Sequence, residues 1–282
     1  MTVFRDKTKI QKHIAYYKAK GSTFGFVPTM GALHQGHLAL VREALANNTI
    51  CVVSIFVNPT QFNNAKDLEK YPRTLEKDVE LLETVSKDIV IYAPTVADVY
   101  GTDAKAEHFS FDGLEFEMEG KFRKGHFDGV GTIVKRLFEI VKPDQAYFGE
   151  KDYQQLVIIK KLTQKYNLPV KVNGCKIHRE QSGPAMSSRN IRLKSNYKMA
   201  APFIYQTLQA AKLKFGTKSA NEITAWVENQ FAKHKLLELE YFIIADVETL
   251  QPVKRKTKTK TYRAFIATYA DDIRLIDNIA LN

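Results

Sequence analysis

The sequence predicts an α/β protein with a mostly parallel, three-layered sheet, followed by a small α+β domain. Three observations favour this fold class. Strand-like and helix-like segments alternate through the first 177 residues. The strand-like segments are almost entirely apolar, as expected of strands covered on both faces. After residue 177, two helical patterns are followed by three strand-like runs. We therefore expect two closely packed domains, at residues 1–177 and 178–282, since no low-complexity linker separates them.

The elements of the first domain follow from local patterns. Ile10, Ile14 and Tyr17 recur at helical spacing within residues 6–20, and Gly21 ends that pattern. Strands are predicted at residues 24–29, 50–57, 89–92, 145–148 and 170–177. Helical stripes lie between these strands, at residues 38–45, 75–82, 133–141 and 156–162. Such alternation predicts βαβ units, whose ligands bind beyond the carboxyl ends of the strands.

The second domain begins with two predicted helices. The first has a stripe over residues 200–211, and the second starts at the capping box Ser219 to Glu222 and buries Ile223 and Trp226. Strand-like runs follow at residues 241–245, 264–269 and 273–279.

Composition indicates an ordinary globular protein of 282 residues, 44% apolar and 26% charged. Cys51 and Cys175 form neither a disulfide framework nor a metal-ligand spacing, which favours a reducing compartment. The N-terminus lacks the apolar core of a signal peptide, and no run reaches the roughly 18 apolar residues that a membrane span needs. We expect a cytoplasmic protein without a membrane partner.

The formal net charge of +11 comes largely from six cations between Lys254 and Arg263. A nucleic-acid surface is one interpretation. The other is an edge strand, because threonines alternate with the lysines and edge lysines discourage aggregation. We favour the edge strand and expect no nucleic-acid partner, since only Tyr262 offers an aromatic ring for stacking.

The first candidate for chemistry lies between a predicted strand and helix, where backbone N–H groups and the helix dipole favour anions. His34 and His37 are three residues apart, so a helical turn places them on one face. Gly36 lets a phosphate or a flat ring approach the backbone. Two imidazoles there could stabilise a leaving pyrophosphate. A solvated histidine pair is the plainer interpretation of this motif taken alone, and zinc lacks a third ligand.

Two further segments could meet phosphate. After the strand at 145–148, Gly149 permits close approach, Lys151 offers a point charge, and Asp152 could hold a ribose hydroxyl or a magnesium-bound water. A charged helix start with Asp152 as N-cap explains the same residues. Residues 185–190 place two hydroxyls and a guanidinium in a loop that could close on a triphosphate, although Ser-Ser-Arg is also ordinary loop composition.

Three other segments are weaker. Gln61, after the second strand, could contact the hydroxyl and carboxylate of a small substrate, although Asn-Pro ahead of it is a common turn. Asp78 could orient Mg²⁺ or could be a solvated first-turn acid. The basic, glycine-punctuated residues 119–129 could cover the site or form a subunit contact.

Together these segments resemble the pantothenate synthetases, also called pantoate–β-alanine ligases. The matching segments lie in the family's order, at residues 25–37, 57–62, 71–73, 125–127, 147–152 with Gln155, and 186–190. The resemblance implies a Rossmann-like nucleotidyltransferase domain, a small C-terminal lid and a homodimer. It also implies that pantoate attacks MgATP to form pantoyl adenylate and pyrophosphate, after which β-alanine displaces AMP to give pantothenate.

The resemblance also implies roles for particular residues. His34, His37 and Lys151 would be catalytic, and Asp78 would help to place Mg²⁺. Pantoate would contact Gln61, Gln155, Pro28 and Asn58. The residues implied for ATP are Met30, Gly31, His34, Gly36, His37, Gly149, Lys151, Asp152, His178, Met186, Ser187, Ser188 and Arg189. We expect the imidazoles, the lysine and the Ser-Ser-Arg loop to converge on one triphosphate.

The chain departs from the family pattern at Lys124, His178 and residues 181–184, which puts nucleotide affinity in doubt but not the reaction class. A main-chain contact from His178 to adenine would survive its substitution. The alternatives are a phosphopantetheine adenylyltransferase, a reduced aminoacyl-tRNA synthetase, for which the chain is short, and an RNA-binding module that uses the basic segment.

Overall fold

The structure is a computed structural model that describes residues 1–62 and 65–282. In these residues the strands are β1 (Thr2–Phe4), β2 (Phe24–Thr29), β3 (Ile50–Ile55), β4 (Val90–Tyr92), β5 (Gln145–Gly149), β6 (Lys171–Cys175), β7 (Glu238–Asp246), β8 (Tyr262–Ala270) and β9 (Ile273–Ala280). The α-helices are α1 (Lys7–Lys18), α2 (Gln35–Asn47), α3 (Ala65–Glu69), α4 (Leu75–Glu83), α5 (Val96–Tyr100), α6 (Glu119–Phe122), α7 (His126–Val141), α8 (Tyr153–Lys165), α9 (Ser195–Ala200), α10 (Pro202–Phe215) and α11 (Ala220–Ala232). None of the helices in this described part of the chain is long and apolar enough to cross a membrane.

The chain packs as two compact units. The N-terminal unit contains residues 1–150 and 154–176, and the C-terminal unit contains residues 151–153 and 177–282. The segment 151–153 therefore belongs with the end of the chain, although it directly follows β5. The predicted division of function between residues 1–177 and residues 178–282 remains a prediction.

The N-terminal unit is built on a parallel sheet with the strand order β1-β4-β3-β2-β5-β6. β2 pairs with β3 from Phe24↔Ile50 to Thr29↔Ile55, and on its other side with β5 at Gly25↔Gln145. From β2 the chain continues to β3 on one side of the sheet and later returns as β5 on the other. Such a reversal of strand order opens a crevice beyond the carboxyl ends of the two strands, where ligands bind in open α/β sheets.

Burial explains why this sheet forms from almost continuous apolar runs. Phe24, Phe26 and Val27 of β2 are fully buried, as expected of a central strand covered on both faces. Cys51 of β3 is also fully buried, and this burial raises the pKa of its thiol to about 12. The predicted α/β class is confirmed. β1 was not predicted, because three residues at a sheet edge are too few to show a periodicity.

The C-terminal unit packs helices α10 and α11 on an antiparallel sheet with the order β7-β8-β9. Ser219 caps α11 and forms the predicted capping box with Glu222. The helical stripe predicted over residues 200–211 is divided between two helices, because Pro202 starts α10 at a position where a missing N–H costs nothing.

The edge-strand interpretation of the basic segment is wrong. Residues 254–261 form a loop, and β8 starts at Tyr262 and lies between β7 and β9. The Lys256 ammonium donates to the carbonyl of Phe215, the last residue of α10, and to that of Lys218 just beyond the helix. Cations are favoured at the end of a helix, so this lysine ties the loop to α10.

Candidate active site

The turn between β2 and α2 has a left-handed backbone. Gly31 has φ 81° and Ala32 has φ 49°. A Cβ on Gly31 would lie 3.1 Å from Asp78 Oδ2 and 3.2 Å from Ile55 Cγ2, in addition to the strain of the positive φ. Glycine is therefore the residue that lets this turn close against α4 and β3.

Asp78 of α4 holds the turn in place. Its Oδ2 accepts from the N–H of Ala32 at 3.0 Å and its Oδ1 accepts from the N–H of Leu33 at 2.7 Å. Thr74 Oγ1 lies 3.3 Å from Oδ2. Asp78 is 2% exposed, and this burial raises the pKa of its carboxyl, although the three hydrogen bonds act in the opposite direction. The carboxylate is thus an acceptor for two consecutive N–H groups of the turn.

His34 and His37 close the N-terminus of α2 as a reciprocal capping box. His34 Nδ1 accepts from the N–H of Gly36 at 3.1 Å, and His37 Nδ1 accepts from the N–H of His34 at 3.3 Å. The ring centroids lie 4.0 Å apart. A nitrogen that accepts a hydrogen bond carries no proton, so each neutral imidazole has its proton on Nε2. Both rings therefore have Nε2–H as their donor.

The loop after β3 presents Gln61 in a constrained position. Asn58, 1% exposed, donates to Gln61 Oε1 at 3.1 Å and to the carbonyl of Gly129 at 3.2 Å. Gln61 Nε2 lies 2.8 Å from Met30 Sδ, which joins the loop to the end of β2. A Cβ on Gly129 would lie 2.3 Å from the carbonyl oxygen of Thr60, so only glycine lets α7 pack this closely.

His126 lies beside this loop, and no role was predicted for it from the sequence. It is 7% exposed, and its Nδ1 lies 2.9 Å from the carbonyl oxygen of Gln61. Arg123 donates to the same carbonyl at 3.4 Å. The segment 119–129, which by its sequence could cover the site or form a subunit contact, supports the main chain of Gln61 through Arg123 and His126. The Gly-His-Phe motif at residues 125–127 was the sequence signal that could have pointed to His126.

The remaining candidates of the N-terminal unit lie near the carboxyl ends of strands or on α8. Pro28 pairs with Ser54 of β3, and Gly149 ends β5 opposite Cys175. Gln155 is half-buried on α8. Its neighbour Gln154 is buried and accepts from the N–H of Glu119 at 3.0 Å. Gln154 is therefore structural, and Gln155 is the more exposed of the two glutamines.

In the C-terminal unit, Lys151 and Asp152 lie together. Lys151 Nζ is 3.6 Å from Asp152 Oδ2, and the Lys151 side chain is 18% exposed. The carbonyl of Lys151 accepts from Asn278 Nδ2 at 2.8 Å. A cation and a carboxylate are thus held side by side, and their contacts with phosphate and ribose stay a prediction.

The residues 178–190 form an ordered turn and loop. The N–H of Met186 donates to the carbonyl of His178 at 3.0 Å, and Arg179 bridges to Ala185. The side chain of His178 is exposed. The carbonyl of His178 already accepts a hydrogen bond within the loop. A main-chain contact of His178 with adenine would therefore use the second lone pair of this carbonyl or the N–H group of His178.

The Ser-Ser-Arg loop starts directly after this turn. Ser187 Oγ accepts from the N–H of Arg189 at 3.2 Å, and Asn190 Nδ2 donates to Glu180 Oε1 at 2.7 Å. Ser188 and Arg189 are half-buried. The structure therefore brings His34 to His37, Met30 to Gln61, Lys151 to Asp152 and His178 to Met186.

Comparisons with known proteins identify the family of the chain. The family model for pantoate-beta-alanine ligase matches residues 2–280. The chain belongs to this family. It is 57% identical to the pantothenate synthetase of Flavobacterium psychrophilum and 44% identical to that of Bacteroides fragilis, over 100% and 99% of the chain and 100% and 98% of those relatives.

Solved structures of the family have the same fold. The pantothenate synthetase of Thermus thermophilus superposes with a TM-score of 0.92 at 36% identity, over 100% of this chain and 99% of that one. The pantoate-beta-alanine ligase of Francisella tularensis, complexed with β,γ-ATP and β-alanine, gives 0.81 at 33% identity, over 100% and 98%. The chain is an ATP-dependent ligase that condenses pantoate with β-alanine to pantothenate. The predicted family, fold class and ligase function are confirmed.

Proposed function

We propose that this ligase works by adenylation, with the imidazoles of His34 and His37 as donors to the phosphates of ATP. In the first step an oxygen of the pantoate carboxylate attacks the α-phosphorus, the bond from that phosphorus to the bridging oxygen breaks, and pyrophosphate leaves with the electron pair. In the second step the amine of β-alanine attacks the acyl carbon, loses a proton, and AMP leaves. No protein nucleophile is needed, so the enzyme supplies position and charge.

The capping geometry of the two histidines is the observation that supports this proposal. Because both Nδ1 atoms accept backbone N–H groups, both Nε2–H groups are donors, at the N-terminus of α2 and beyond the end of β2. A helix N-terminus attracts anions, and donors that are oriented before the reaction cost no reorganisation when charge develops. The reversal of strand order between β2 and β5 places this turn where α/β proteins bind ligands.

Other roles are proposed residue by residue. Lys151 neutralises charge on the reacting phosphates, and the hydroxyls and guanidinium at 187–189 hold the triphosphate. Gln61 and Gln155 contact pantoate, with Pro28 and Asn58 shaping that subsite. Asn58 acts through Gln61, since its own oxygen and nitrogen are already engaged. Further ATP contacts are assigned to Met30, Gly31, Gly36, Gly149, Asp152, His178 and Met186, and a lid role to residues 178–282.

Magnesium enters this proposal with ATP, as MgATP. The carboxylate oxygens of Asp78 accept from two backbone N–H groups and contact Thr74, inside a site that is almost closed to solvent, so Asp78 does not fit a direct metal ligand. No group of three acidic, histidine or cysteine residues suited to a metal occurs in residues 1–62 and 65–282. Asp78 acts on MgATP only through the turn that it holds.

The proposal also includes a homodimeric enzyme located in the cytoplasm. The homodimer is carried over from the family resemblance and is tested by sedimentation of the purified chain. The compartment is supported by Cys51 and Cys175, which are both free thiols.

The adenylation route is tested by following pyrophosphate and AMP separately. With MgATP and pantoate alone, we expect about one equivalent of pyrophosphate per site and little AMP. Addition of β-alanine should start the continuous release of AMP. AMP release at the same rate with and without β-alanine would overturn the two-step route.

A further inference from the structure

Two consecutive residues of β9, Asp277 and Asn278, hold the two segments of the C-terminal unit to which we assign phosphate contacts. Asp277 is 5% exposed and Asn278 is 1% exposed. The segments that carry the family resemblance end at residue 190, so no motif pointed to this strand. Buried polar side chains are nearly always hydrogen-bonded, so the partners of these two residues show what they hold in position.

Asp277 holds the turn that leads to the Ser-Ser-Arg loop. Arg179 donates to both of its carboxylate oxygens, from NH1 at 2.6 Å and from NH2 at 3.0 Å. The same guanidinium donates to the carbonyl of Gly183 at 3.2 Å and lies 3.6 Å from the ring centroid of Tyr205. The planar Arg179 guanidinium is hydrogen-bonded on both sides and stacked on a ring, so it is held in one orientation. The turn at 179–185 is therefore fixed to β9.

Asn278 holds Lys151. Its Nδ2 donates to the carbonyl of Lys151 at 2.8 Å, and its Oδ1 accepts from the guanidinium of Arg263. The Arg263 guanidinium also lies 4.2 Å from the ring centroid of Tyr153. The segment 151–153 is thus bound to β8 and β9 by a side-chain amide and a stacked cation, which explains why it packs with the C-terminal unit.

Side chains alternate between the two faces of a β-strand, which explains how two adjacent residues of β9 contact two different segments. Asp277 lies opposite Ile266 and Asn278 lies opposite Phe265, so the two side chains point to opposite faces of the sheet. Arg179 and Tyr205 lie on the Asp277 side, and Lys151 and Tyr153 lie on the Asn278 side.

We propose that Asp277 and Asn278 are positioning residues for adenylation: Asn278 sets the position of Lys151, and Asp277 sets that of the loop 187–189 through Arg179. The inference rests on the roles proposed above for Lys151 and this loop. Displacement of a catalytic group by about 1 Å can reduce a rate up to about a hundredfold. Neither Asp277 nor Asn278 contacts substrate in this proposal.

A double-mutant cycle on pyrophosphate release tests the Asn278 arm. Asn278→Ala should lower the rate about tenfold when Lys151 is present, and less than about twofold in a Lys151→Ala background, because its effect passes through Lys151. Asn278→Asp, which keeps the shape and the acceptor for Arg263, should show the same dependence. Urea unfolding of each variant checks that it is folded.

Asn282→Ala is the matched control. Asn282 also joins two main-chain groups, accepting from the N–H of Tyr262 at 2.8 Å and donating to the carbonyl of Lys260 at 2.9 Å, without contact to Lys151. Its pyrophosphate release should stay within about twofold of wild type. A tenfold loss from Asn278→Ala in both backgrounds would overturn the positioning role of Asn278 and leave the proposed role of Lys151 standing. A Lys151→Ala enzyme with an unchanged rate would overturn both the role of Lys151 and this inference.

The Asp277 arm is tested in the same way with Arg189. Asp277→Asn should raise the KM for ATP several-fold in the wild-type background and leave it nearly unchanged in an Arg189→Ala background. An equal rise in both backgrounds would show that Asp277 acts on ATP binding by another route and would overturn this arm.

Discussion

The two units each contain a helix closed by a reciprocal capping box, and the two boxes use different residues. At the start of α11, Ser219 and Glu222 form the box that sequences most often use for this purpose. At the start of α2, His34 and His37 occupy the same two positions, and their rings accept from the N–H groups of Gly36 and His34. Serine is among the strongest N-cap residues, whereas histidine is not.

This difference separates stability from chemistry. The N–H and hydroxyl of Ser219, together with Lys218, hold the pKa of Glu222 at about 2, below its ordinary value of 4.5, so the cap favours the charged form. The histidine box makes the same type of backbone contact with weaker caps, and it leaves each ring with an Nε2–H donor. We infer that the imidazoles at α2 are retained for these donors, and that the cap orients them.

The largest expected effect comes from His37. His37→Ala removes both the donor and the cap and should lower the rate of pyrophosphate release by a factor on the order of 100, as loss of one oriented donor does elsewhere. His37→Gln can keep the acceptor of a capping box and should lower the rate similarly with less loss of stability. A rate within about twofold of wild type in a folded His37→Ala enzyme would remove His37 from the mechanism.

A smaller effect is expected from Asp78, which holds the turn ahead of the histidine box. Asp78→Asn places an NH₂ group against one of two backbone N–H donors, so that two buried donors face each other. We expect a loss of about 1–3 kcal/mol in the free energy of unfolding, measured with urea, and a higher KM for ATP. The control is Glu76→Gln, an exposed acid in the same helical turn, which should change neither quantity measurably.

The smallest effect is expected at the Ser219 box, and it depends on pH. The pKa of Glu222 is lowered in the folded protein, so its contribution to stability is present above pH 4.5 and is lost as the pH falls toward about 2. Glu222→Gln should therefore have a lower urea midpoint than wild type at pH 7, and the difference should narrow between pH 5 and pH 3. Adenylation should be unaffected. A difference that is the same at every pH would contradict this account of the cap.

Patterns that are local in sequence could be predicted. The bounds of β2, the Ser219 box and the pairing of His34 with His37 depend on residues within a few positions of one another. Hydrophobic periodicity and capping act at this range, so they leave a direct signal in the sequence.

Contacts between distant residues could not be predicted. Asp78 binds N–H groups about 45 positions before it, and Asn278 binds the carbonyl of Lys151, 127 positions away. Such contacts have no spacing that one sequence can reveal. The edge-strand interpretation of residues 254–261 relied on local composition, where tertiary contacts decide the role.

Exchange of one box for the other tests the account most directly. A His34→Ser and His37→Gln enzyme keeps a capping box at α2 and lacks both imidazoles. We predict a free energy of unfolding equal to wild type or higher by up to about 1 kcal/mol, together with at least a hundredfold slower pyrophosphate release from MgATP and pantoate. Release at the wild-type rate from this stable double variant would show that the histidines only cap the helix, and would contradict the account.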